Sequence, residues 1–135
     1  MELGLLTFEL GERRYAVPLE FVREVLAAGP VTPVPGAPAW VRGVLNAHSL
    51  LAPTLDLNAM TEHGAPRTPR PGDPVVLLEA PVQPWSDGQP PRAGIIVDRV
   101  VRVVPPEEDP GACQRLDVPG LLAEVRFGIE EGARR

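Results

Sequence analysis

Gly43-Val44-Leu45-Asn46-Ala47-His48-Ser49-Leu50-Leu51-Ala52-Pro53-Thr54-Leu55-Asp56-Leu57 is the stretch that decides the fold. Trp40, Val41, Val44 and Leu45 lead into Asn46-Ala47-His48-Ser49, after which Leu50, Leu51, Leu55 and Leu57 follow. Two apolar runs of strand length around a polar connection read as a β-hairpin with a tight turn. Asp56 stands where its carboxylate can cap the far end.

Toward the N-terminus, Val31 to Val34 reads as an edge strand, because Pro33 and Pro35 cannot donate to a central ladder. Gly36-Ala37-Pro38 is then a turn. Leu19, Val22, Val25 and Leu26 fall on one helical face and Glu20, Arg23 and Glu24 on the other, with Gly29-Pro30 ending the run. That pattern predicts a short amphipathic helix. Leu6, Phe8 and Leu10 alternate with Thr7 and Glu9, and after Gly11-Glu12 the pattern resumes at Tyr15, Val17 and Leu19, an opening hairpin.

Toward the C-terminus, residues 61–74 hold almost nothing that can be buried and read as an exposed loop. Val75 to Leu78, Gly94 to Val97, and Val100, Val101, Val103 and Val104 are three strand-length apolar runs, expected to pair as a meander. Leu116, Val118, Leu121, Leu122 and Val125 supply the last apolar positions, with a short helix after Pro119-Gly120 and a frayed tail over 128–135. The expectation is one domain over 1–135: a first part near 5–60, the loop 61–74 and a second part 75–127.

With 13 glycines and 18 prolines, the composition favours short strands and turns over long helices. The net charge of −5 and the absence of lysine speak against nucleic acid as a partner. One cysteine, Cys113, excludes an internal disulfide, and Met1-Glu2-Leu3-Gly4 lacks the basic start and apolar run of a signal peptide. A cytoplasmic protein without direct membrane contact is expected.

The central stretch resembles the CheW-like chemotaxis coupling family, in which Gly-Val-Ile-Asn-Leu-Arg-Gly precedes a hydrophobic strand, a Pro and Asp-Leu. The flanks follow the family's order: Leu6 to Leu10 with Gly11, Tyr15-Ala16-Val17-Pro18, Val22-Arg23-Glu24-Val25, Val34-Pro35 with Ala37-Pro38, and Gly94-Ile95-Ile96-Val97-Asp98-Arg99-Val100. The resemblance implies a mainly β fold of two small five-stranded β-barrel subdomains sharing a core. It also implies a non-enzymatic adaptor that couples the cytoplasmic tip of a chemoreceptor (a methyl-accepting protein) to the regulatory domain of a CheA-type histidine kinase, or to another CheW-like protein. No cofactor is implied. Matching the family's contact positions gives Val22, Glu24, Asn46 and His48 as partner-binding candidates; Leu50, Val100 and Arg102 join them on position alone. On this reading Val22→Asp or Glu24→Arg removes receptor binding without disturbing the fold.

Two departures stand out. His48 and Ser49 occupy the places of the family's Arg and Gly, exchanging a permanent bidentate charge for an imidazole and arguing against a turn with positive φ. After Asp98-Arg99-Val100, roughly twenty residues of the second barrel are missing relative to the family pattern. A barrel so shortened exposes strand edges. Receptor coupling is expected to persist and kinase docking to be impaired.

Enzymatic readings are weaker. His48, His63 and Cys113 have no metal-site spacing. His48 and Ser49 are sequence neighbours whose side chains diverge on an extended segment. Asp56 and Asp98, both at strand ends, suit turn capping better than paired catalysis. Trp40 is expected in the core and Trp85 at an exposed loop. The alternative function is a stand-alone ligand-binding or structural β-barrel without a signalling role.

Overall fold

The structure, a computed structural model, describes residues 3–61, 68–80 and 91–133, with side chains to residue 126. Strands β1 (Leu5–Leu10) and β2 (Arg13–Pro18) form the opening hairpin. A single 3-10 turn at Leu19–Phe21 leads into β3 (Val22–Ala27). Then come β4 (Val31–Thr32), β5 (Val41–Ala47), β6 (Leu50–Leu55), helix α1 (Leu57–Thr61), β7 (Pro74–Glu79), β8 (Arg92–Ile96), β9 (Arg99–Val104), β10 (Gln114–Arg115) and helix α2 (Val118–Ala133).

The fold is mainly β, as expected, in two sheets: a four-stranded one ordered β10-β2-β1-β9 and a six-stranded one ordered β3-β7-β8-β6-β5-β4. Phe8 and Tyr15 face each other across the first hairpin with ring centroids 5.6 Å apart, and both are fully buried. The central stretch folds as the hairpin β5–β6. β4 is an edge strand, paired only through Val31–Leu45 and Thr32–Val44.

Three expectations are corrected. The helix predicted over Leu19 to Leu26 is a 3-10 turn followed by a strand, paired antiparallel with β7 from Val22–Leu78 to Ala27–Pro74. Val22, Glu24 and Leu26 alternate in burial with Arg23, Val25 and Ala27, so the period is two and not 3.6. Second, β7 and β8 pair as expected, but β9 does not complete a meander; it crosses to the other sheet and pairs with β1. The pivot is Asp98: its N–H donates to the Glu9 carbonyl at 2.9 Å, and its carboxylate accepts from Gly11 N–H at 2.7 Å. Third, α2 continues to Ala133, where a frayed tail was expected from 128.

The crossover means the two halves of the chain do not correspond to the two sheets. The four-stranded sheet takes β1 and β2 from one end and β9 and β10 from the other. In this sheet only the two-residue β10 lies between β9 and α2 among the described residues. Of the loop 61–74, residues 68 and 70–72 are exposed, while 62–67 and Trp85 lie outside the described residues.

A shared core fills the space between the sheets. Leu6, Phe8, Leu10, Tyr15 and Val17 meet Val41, Leu55, Val76, Leu78, Ala93 and Ile95, and α2 adds Val118, Leu122 and Val125 at positions i, i+4 and i+7. Trp40 packs against it. The opposite face of the six-stranded sheet is also apolar: Leu26 on β3 and Val31 on β4 pack on one cluster with Leu45, Val75 and Ile96. The two edge strands, joined by residues 28–30, pack on this one cluster, so the sheet between them is strongly curved. β7 is apolar and buried from Val75 to Leu78 since both of its faces are covered. Among the described residues no helix is long and apolar enough to cross a membrane.

Candidate functional site

Register in the β5–β6 hairpin, Ala47 opposite Leu50 and Asn46 opposite Leu51, leaves a two-residue loop, His48-Ser49. Both residues have positive φ, 51° and 68°. Such a loop matches the twist of its strands, which is why tight hairpins use it despite the steric cost to any residue with a Cβ. The expectation that Ser49 argues against this geometry is corrected. The turn keeps it, and the Asn46 side-chain oxygen accepts from Ser49 N–H at 2.9 Å to hold it. Asn46 thus has a local structural task.

His48 Nε2 lies 3.2 Å from both carboxylate oxygens of Glu24 on β3. This contact joins the turn to the opposite edge of the curled sheet. Beneath it Leu26 packs on Ala47, Ala52 and Leu77. The His48 side chain is 74 % exposed and that of Glu24 33 %, so a partner can reach both.

A register shift between Val22 and Glu24 separates the two β3 candidates. Val22 is partly buried and packs against the shared core, where a charge such as that of Val22→Asp would be costly to accommodate. Glu24, Asn46, His48 and half-buried Leu50 gather around the β5–β6 turn. Val100 and Arg102 lie on β9, in the other sheet. Val100 packs on the shared core, and Arg102 donates to the Glu108 carboxylate.

Two residues escaped the sequence reading. Val25, next to Glu24, is 44 % exposed, and Leu51, directly opposite Asn46, is 65 % exposed. Exposed aliphatic side chains are the kind of surface that protein interfaces cover. Their only sequence signal was adjacency to the turn and to Glu24.

Further structural roles are clear. Arg42 donates to Asp56 at 2.9 Å, and Asp56 also accepts from Ala59 N–H at 3.3 Å, capping α1. Gly43 has φ 150°, and a Cβ there would stand 2.7 Å from Val31 Cγ1 and closer still to the Thr32 carbonyl. The glycine is what lets β4 pair with β5. Among the described residues no group of three or more His, Cys, Asp or Glu side chains could hold a metal ion.

A family model described as a CheW-like domain matches residues 4–125, from the start of β1 into α2. The chain belongs to the CheW-like family. As a CheW-like chain it is 30 % identical over 132 residues to the chemotaxis protein CheW of Treponema pallidum, covering 95 % of this chain and 72 % of that one. It is 40 % identical over 60 residues to protein FrzA of Myxococcus xanthus, covering 44 % and 38 %. The scaffolding protein TtCheW of Thermoanaerobacter tengcongensis has a similar structure, with a TM-score of 0.64 at 26 % identity over 83 % of this chain and 74 % of that one. The mainly β, two-sheet architecture described above matches the CheW-like fold.

Proposed function

We propose that the protein is a cytoplasmic, non-enzymatic adaptor that couples chemoreceptors to a CheA-type histidine kinase, with the receptor tip docking at the Glu24–His48 contact. The observation that carries the site is this contact between the β5–β6 turn and the edge strand β3, with exposed Val25 next to Glu24 in sequence and exposed Leu51 on β6. Its output is the placement of other proteins, which needs a complementary surface and no reacting group.

Kinase docking is the impaired half of this function. Support comes from β9, which ends the four-stranded sheet with one pairing partner, β1, and from the absence of any strand but β10 between it and α2 among the described residues. A docking face built on that sheet has lost part of its surface. Titrating the protein separately against a receptor cytoplasmic fragment and a kinase regulatory domain tests both halves. Receptor binding with weakened kinase binding is expected; undiminished kinase binding relative to a full-length CheW removes the second half, and no receptor binding removes the first.

A further inference from the structure

The β5–β6 turn carries a cost and a restraint at once. Its two residues sit in the left-handed region, and the one side-chain tie from this turn to another strand among the described residues is His48 to Glu24. The strength of that tie depends on a proton. A neutral imidazole offers Glu24 one N–H, whereas an imidazolium adds opposite charge at 3.2 Å from two carboxylate oxygens.

Other charges do not share the contact. On β3 the remaining charged residue, Arg23, turns to Glu79 of β7 at 2.8 Å. On β5 the charged residue is Arg42, held by Asp56, and β6 has none. Arg92 of β8 pairs with Glu79 at 3.3 Å. Among the described residues His48 therefore answers to Glu24 alone, and histidine is the side chain whose charge changes near neutral pH.

We propose that Glu24 and His48 form a proton-operated latch across the seam of the six-stranded sheet, which tightens receptor docking when His48 is protonated. The inference rests on the receptor-coupling reading of this site. Protonation fixes the turn against β3, so Leu50 and Leu51 are presented in one arrangement and less ordering remains for the partner to impose. Deprotonation loosens the turn. Because His48 is largely exposed, the effect is modest.

The test is a titration of the full chain with a receptor cytoplasmic fragment at about pH 6 and about pH 8, for wild type, His48→Arg and His48→Gln. Wild type should bind about two- to fivefold more tightly at the lower pH, the range an exposed ion pair allows. His48→Arg, permanently charged, should show no more than the receptor's own pH dependence, and His48→Gln should match it at lower affinity. A wild-type ratio equal to that of His48→Arg overturns the proposal. In the free protein, a double-mutant cycle of Glu24→Gln and His48→Gln followed by urea denaturation gives an independent reading: the two substitutions should be non-additive at about pH 6 and close to additive at about pH 8. Additivity at both pH values sinks the latch itself. Failure of receptor binding at both pH values sinks the coupling reading and its regulation, while the double-mutant cycle still decides whether the latch exists.

Discussion

Arg42 donates at 2.9 Å to a carboxylate, Asp56, whose side chain is only 1 % exposed, at the point where β6 gives way to α1. Removing the guanidinium leaves a buried charge with less compensation, and such losses are large. Arg42→Ala should destabilise the protein by about 2–3 kcal/mol, below the range for a fully buried pair because Arg42 is 27 % exposed. Urea denaturation followed by circular dichroism measures this; a cost under about 0.5 kcal/mol would mean the pair is no more than a surface contact.

The turn should be improvable. Ser49 is held at φ 68°, where a Cβ costs about 1–2 kcal/mol and glycine pays little. Part of the gain is offset by the freer unfolded chain. Ser49→Gly should therefore raise stability by about 0.5–1 kcal/mol, read as a higher urea midpoint with unchanged slope.

Gly43 and Gly11 make a matched contrast. A Cβ at Gly11, φ 61°, meets nothing within 4 Å, whereas at Gly43 it meets β4. Gly11→Ala should cost about 1 kcal/mol from backbone strain alone. Gly43→Ala should cost clearly more and expose Thr32 and Val44 amides to hydrogen exchange, since β4 must move away. Equal costs would contradict this account.

Glu9 links three strands, bonded to Arg14 across β2 at 2.9 Å and to Arg99 on β9 at 2.6 Å. The Arg14 guanidinium first, and Arg99 after it, hold the Glu9 carboxyl below its ordinary value. A carboxyl depressed in the folded state stabilises most above its unfolded titration range, and that contribution disappears as pH falls through the lower folded value. The stability difference between wild type and Glu9→Gln should thus be present at neutral pH, shrink in acid, and be reduced by salt. A difference independent of pH would assign the effect to packing.

The hairpins β1–β2 and β5–β6 were legible because alternation and turn residues are local signals. Residues 22–27 were not: Val22, Val25 and Leu26 satisfy a helical spacing, while Val22, Glu24 and Leu26 satisfy a strand spacing equally well. Pairing with β7, some fifty positions away, decides between them. The destination of β9 was hidden for a similar reason, since a run of valines does not say which sheet it joins. At the candidate site, family likeness singled out Glu24 and His48 separately, but their contact was not legible. Nor were the exposures of Val25 and Leu51, which depend on which face of a curled sheet points outward.

The crossover at Asp98 imposes a schedule on folding. Strands β3 to β8 are contiguous in sequence and can close on one another early, but β1 cannot acquire its second neighbour until residues 99–104 arrive, ninety or more positions later. Contacts so distant carry the greatest entropic cost of closure and form last. The opening hairpin, with Phe8 and Tyr15 on it, must wait as a half-finished apolar surface for most of the chain to emerge.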